Sequence, residues 1–138
     1  MKISAYFSHP IRGEKGADAT REDMYLNNEI AIMVSQMLQN ALPALDLYVP
    51  AVHDEVIIEM YEAGDITEKV ILDADKKILA KRDILIGFEY KNVVSRGMEI
   101  EYIKAMDLSK PIFKFQTVRD IPGLVEQILD WWYNTHVN

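Results

Sequence analysis

The chain has 138 residues, enough for one domain, residues 1–138, that buries about two-thirds of the surface exposed by its unfolded state. It contains no cysteine, which excludes disulfides, thiolate nucleophiles and cysteine-held zinc or iron–sulfur centres, and fits a reducing cytoplasm. A net charge of −7 at pH 7, with no Lys/Arg stripe interleaved with aromatics, disfavours nucleic acid as a partner, whereas a mononucleotide needs only a local cluster of donors.

The opening residues, MKISAYFSHP, hold one Lys and a short alternating run rather than the long apolar stretch of a signal peptide, so the mature fold is expected to start there. Residues 2–8 read as a strand and 9–19 as a loop punctuated by Pro and Gly. Thr20 and Asp23 have capping-box spacing, and Leu26, Ile30, Met33, Met37 and Leu38 repeat at helical intervals as far as Pro43. The longest charge-free run, Ile30 to Leu45, is interrupted by Ser35, Gln36, Gln39, Asn40 and Pro43, so no membrane span is expected and the chain should be soluble.

Residues 45–50 read as a second strand ending at Pro50, and His53 to Tyr61 as a short helix stopped by Gly64. A helix is predicted from Ile66 to Lys81 by the spacing of Val70, Ile71, Ala74, Ile78 and Leu79. The apolar run 83–89 is a buried strand, 111–115 a fourth, and 120–133 a terminal helix. Four strands are legible in this way, and the candidate places for a fifth are residues 62–66 and the segment beyond 133. Strands alternating with helices predict an α/β fold whose parallel sheet is covered on both faces, with ligands beyond the carboxyl ends of the strands.

That rule directs attention to four loops, 8–19, 49–55, 88–97 and 115–120. The first lacks both the Gly-x-Gly-x-x-Gly of a dinucleotide site and the Gly-Lys-Ser/Thr of a phosphate loop. His53, Asp54 and Glu55 are adjacent, but helix neighbours point apart and no second His follows at i+4, so a cap and solvated acids are the better reading than a metal site. Trp131, Trp132 and Tyr133 read as packing on the sheet or at a dimer seam. Asp73 and Asp75 stand on the third helix. In VVSRGMEIEYIKA, residues 93–105, a helical wheel makes Met98, Tyr102, Ala105 and Met106 the apolar arc, with Glu99 at one edge and Glu101 at the other. The wheel does not choose between these acids.

Three separated pieces, AYFSHPIRG (5–13), Asp75 eight residues before Asp83 at the mouth of a buried strand, and SRGMEIEYIKA in the form Ser-x-Gly-x-x-x-Glu-x-x-x-Ala, together resemble the nucleoside 2-deoxyribosyltransferase superfamily. Within it the chain looks most similar to the 2'-deoxynucleoside 5'-phosphate N-hydrolases. The resemblance implies a flavodoxin-like, three-layer sandwich with a four- to five-stranded parallel sheet. It also implies a nucleophilic role for Glu101 at C1' of the sugar, with Asp75 as the second acid and Tyr6 holding the nucleophile. The nucleotide would be met by Ser8, His9, Ile11, Arg12 and Gly13, and its phosphate by Ser95, with Gly97 allowing the backbone close.

A carboxylate that attacks an anomeric carbon has to be ionised, and the amino-terminal end of a helix favours that form. The resemblance thus implies a nucleotide N-glycosidase needing no cofactor or metal, acting on a small-molecule monophosphate and working as a homodimer or higher homo-oligomer with shared sites. Where the hydrolases carry Cys-Gly-Ser this chain has Ser8-His9-Pro10, and their second phosphate-binding Ser has no clear counterpart beyond Thr117 or Arg119. A transferase, and a non-enzymatic flavodoxin-like nucleotide-binding module, are the competing readings.

Overall fold

In the computed structural model, which describes residues 1–137, strand β1 (Ile3–Ser8) runs through the middle of a parallel sheet. It is flanked by β2 (Leu45–Tyr48) and β3 (Ile84–Phe88), and β4 (Ile112–Phe115) pairs with β3, giving the order β2-β1-β3-β4. Side chains leave a strand alternately on its two faces. Ile3, Ala5 and Phe7 therefore enter one layer with Ile84, Ile86, Phe88 and Phe115, and Tyr6 enters the other with Leu85.

The first layer is closed by helices α1 (Arg21–Ala41) and α5 (Ile121–His136), the second by α3 (Glu68–Ala80) and α4 (Arg96–Asp107). Helix α2 (Asp54–Glu62) follows a single 3-10 turn, Pro50–His53, beyond the end of β2. The result is a flavodoxin-like three-layer sandwich. Its sheet has four strands among the described residues; segment 62–66 is the end of α2 and the turn after it, and α5 runs on to His136, so neither place supplies a fifth. No helix among the described residues is long and apolar enough to cross a membrane.

The capping box at Thr20 forms as its spacing predicts: Asp23 N–H donates to the Thr20 hydroxyl at 3.1 Å and Thr20 N–H to the Asp23 carboxylate at 2.9 Å. The buried stripe of α1 differs from the expected one. Leu26, Met33 and Met37 are exposed, while Asn28, Ala31, Val34, Ser35 and Leu38 face inward. Two polar residues are admitted because each finds a partner: the Ser35 hydroxyl donates to Ile32 C=O at 2.7 Å and the Asn28 amide to Asp54. Likewise Met106 of α4 is exposed rather than part of its apolar arc, which consists of Met98, Tyr102 and Ala105. Trp131 and Trp132 pack, partly buried, against the first layer's core.

Helix α4 is locked onto β3 by an arrangement that requires Gly87. A Cβ there would lie 2.0 Å from the Tyr102 hydroxyl, which instead passes over the strand and donates to the buried Glu89 carboxylate at 2.8 Å. Burial first, and then the neighbouring Glu89 charge, keep the Tyr102 phenol protonated as that donor. This lock fixes the rotation of α4, and hence the direction in which its preceding residue, Glu101, points.

Candidate functional site

At the carboxyl end of β1, two hydroxyls on the same face converge on one carboxylate. Tyr6 donates to Glu101 Oε2, and Ser8 Oγ donates to Glu101 Oε1 at 2.7 Å. Tyr6 and Ser8 are fully buried, two residues apart on the strand, and Glu101 comes from α4 on the same side. The Tyr6 ring also packs against Tyr48 of β2, 5.5 Å between centroids, and Tyr48 stacks on His53 at the same separation.

The electrostatics of the site are set by burial and by mutual repulsion among acids. Burial pushes Glu101 up to about 7, against the opposing hydrogen bonds from Tyr6 and Ser8, and the Asp75 charge pushes it the same way as burial. Asp75, on α3, is raised to about 6, first by burial and then by the charge of Asp54. Burial, followed by the Glu101 and Asp75 charges, holds the Tyr6 phenol firmly protonated, so it is a donor throughout. With Tyr6 and Ser8 both donating, both Glu101 oxygens act as acceptors, which is the pattern of an ionised carboxylate. The two hydroxyls thus favour the ionised form of Glu101, and they act against the burial that raises it.

What favours the ionised form of Glu101 differs from the expectation. Glu101 is the sixth residue of α4, in its second turn, and the field of a helix end fades beyond the first. The two hydroxyls supply what the helix end does not. Glu99, by contrast, is exposed in the first turn. The structure thus separates the two acids that the wheel left equivalent, because only one has partners on β1.

The remaining expected residues are distributed more widely. Ser95 is the N-cap of α4, its hydroxyl accepting Met98 N–H at 3.2 Å, and stands roughly 9 Å along the helix axis from Glu101. A Cβ at Gly97 would meet only Ser95 Oγ, at 3.9 Å, so nothing in the fold itself demands glycine there. In the loop after β1, Ile11 C=O accepts from the Asn27 amide at 3.0 Å and Gly13 takes a left-handed conformation, φ 63°. Arg12 is exposed and joins Asn27, Tyr90 and Lys91 around a cleft of about 250 Å³. His9 is buried beside Phe7, 6.1 Å between ring centroids, and neither ring nitrogen has a hydrogen-bond partner; burial lowers it to about 4. It does not join Glu101.

Thr117 is occupied in capping the turn before α5, and Arg119 lines a separate cleft of about 540 Å³ with Glu89, Lys114 and Gln116. Neither cleft is lined by Glu101. No group of three or more His, Asp or Glu side chains among the described residues is placed to hold a metal ion.

Two residues of the neighbourhood escaped the sequence reading. Asp54, read as a cap, stands close enough to Asp75 to raise it, and buried Asn28 holds Asp54 through a 2.7 Å hydrogen bond. The only trace in the sequence is a polar Asn one turn from the apolar run of α1. The chain matches no protein-family model and no curated protein, so its chemistry rests on these residues.

Proposed function

We propose that the chain is a nucleotide N-glycosidase of the nucleoside 2-deoxyribosyltransferase kind, cleaving the base–sugar bond of a (2'-deoxy)nucleoside 5'-monophosphate through a glycosyl ester on Glu101. The observation that carries this reading is the fixing of both Glu101 oxygens by Tyr6 and Ser8, at the carboxyl edge of a parallel sheet and beside the raised acid Asp75. The flavodoxin-like fold and the Ser95-x-Gly97-x-x-x-Glu101 spacing support it.

In the first half-reaction a Glu101 oxygen attacks C1', the C1'–N bond breaks, and Asp75 gives its proton to the departing base. In the second, water attacks C1' of the ester, its proton returns to Asp75, and deoxyribose 5-phosphate leaves with Glu101 restored. Charge develops on the sugar as an oxocarbenium-like state in both, opposite a carboxylate already oriented by Tyr6 and Ser8. Ser95 and the amino terminus of α4 offer donors to the 5'-phosphate, where an acid would repel it.

The test is incubation with individual deoxynucleoside monophosphates, following free base by chromatography and the enzyme by intact mass. Base release and a sugar-phosphate adduct on Glu101 are expected, and Glu101→Gln should reduce release about a thousand-fold or more. Release that survives the substitution refutes the assignment. A new nucleoside formed on adding a second base identifies a transferase. Nucleotide-dependent stabilisation without turnover identifies a binding module.

A further inference from the structure

We propose that the outward face of α1 is the interface of a two-fold symmetric dimer, in which α1 packs antiparallel against α1 of a second copy. The helix carries two apolar faces. Ala31, Val34 and Leu38 point into the core, while Leu26, Met33 and Met37 point away from it and are 51, 53 and 43 % exposed. With the half-buried Ile30 among them, the outward residues recur at intervals of four, three and four, the spacing of a seam between two packed helices. A helix with apolar residues on opposite sides matches burial on both.

Charge selects the partner and its direction. The last charged residue of α1 is Glu29, and the chain carries none from Ile30 to Leu45, although 27 % of all its residues are charged. Depletion of charge together with exposed Met is the composition of an interface core, not of a solvated helix. In the amino-terminal half of α1, Arg21 pairs with Glu59 and Glu62, and Asp23 is held by Thr20 and Lys15. Glu22 and Glu29 are exposed and have no ion pair among the described residues. They lie along one edge of the outward stripe, and the 3.6-residue turn continues that edge through Gln36 and Asn40, both exposed.

The stripe complements itself in one direction only. With the helices antiparallel about an axis between Ile30 and Met33, Leu26 lies opposite the partner's Met37 and Ile30 opposite the partner's Met33. Along the edge, Glu29 and Glu22 then face the partner's Gln36 and Asn40, whose amides donate to carboxylates. With the helices parallel, Glu22 and Glu29 would each meet their own counterpart, in a chain whose net charge is already −7. Both halves of the interface are thus present in this chain, an acidic end and an uncharged, amide-bearing end. Leu26 and Ile30 also line the cleft of about 250 Å³ that contains Arg12, so the partner's Met37 stands at its rim.

Sedimentation equilibrium and cross-linking test the proposal together. At about 100 µM the wild type should sediment with twice the 15.9 kDa of the chain, and Met33→Glu, which sets two carboxylates at the axis, should weaken association about tenfold or more. A monomeric wild type, or a dimer that Met33→Glu leaves intact, overturns the proposal. Because the chain has no cysteine, single cysteines report the pairing directly. Under mild oxidation a mixture of Leu26→Cys and Met37→Cys proteins should form a disulfide between the two variants.

Leu26→Cys joining to itself marks parallel helices and sinks the idea, as does a mixture that forms no cross-link. Should Met33→Glu fail to fold, the cross-linking still decides. Neither measurement needs substrate, so a monomer leaves the glycosidase reading standing, and absence of turnover leaves the dimer standing.

Discussion

Successive side chains of β1 enter two unlike environments. On one face Tyr6 and Ser8 are buried with every hydroxyl committed to Glu101; on the other, Phe7 packs among Phe88 and Phe115, and His9 beyond it is buried with both nitrogens unpartnered. Both faces bury titratable groups, yet with opposite consequences. Burial raises the acids of the first and lowers the imidazole of the second, so each favours its neutral form, but neutrality lies at opposite ends of the pH scale. The contrast shows that a buried ionisable group is not by itself a site. What distinguishes Glu101 from His9 is a set of donors aimed at its charged form.

The comparison is broken most directly by removing those donors. Tyr6→Phe is expected to lower base release about 10- to 100-fold near pH 6, the worth of a hydrogen bond to a charged group, and to move the acid limb of kcat/KM to higher pH as Glu101 ionises less readily. Ser8→Ala should act in the same direction on the other oxygen. An acid limb unmoved in both variants removes the hydroxyls from the ionisation of Glu101.

Stability should separate the two faces by the sign of its pH dependence. Glu101 and Asp75 have folded-state values above their unfolded ones, so the native state binds more protons and their contribution to stability falls as pH rises from about 4 to about 7. Glu101→Gln should therefore gain about 2 kcal/mol relative to the wild type at pH 8, and the gain should vanish towards pH 4, as read by urea denaturation. His9 has the opposite sign. Its folded value, about 4, lies below the unfolded 6.5, so stability present above pH 6.5 is lost as pH falls through that window, and His9→Phe should lessen the acid-side loss by about 2 kcal/mol. Parallel pH profiles for the two variants contradict the contrast.

The smallest expected effect tests the loop that follows both faces. Gly13 is left-handed, and a Cβ there would press on the Asn27 amide at 2.6 Å, a side chain able to move. Gly13→Ala should cost about 1 kcal/mol, with base release less affected than by Tyr6→Phe. A larger fall in activity than in stability ties this turn directly to the nucleotide.

Much of the fold was legible along the chain, because an apolar period states which way each residue faces within its own element. The strands at 3–8, 45–48, 84–88 and 112–115 fall within the predicted segments, and the Thr20 capping box is a purely local signal. The period misled where polar residues enter the core. Asn28 and Ser35 displaced Met33 and Met37 from the buried stripe of α1, since their partners lie in Asp54, 26 residues away, and in the backbone of the same helix.

The sequence by itself determined the alternation of strands and helices, the absence of thiol chemistry, and the short list of acids near the strand ends. Only the tertiary structure decided which acid has partners. Tyr6 and Ser8 are 95 and 93 residues from Glu101, and Asp54 and Asp75 stand on separate helices. Desolvation and charge repulsion depend on distances in space, so a site made of such contacts exists only once the sheet has brought α3 and α4 against β1.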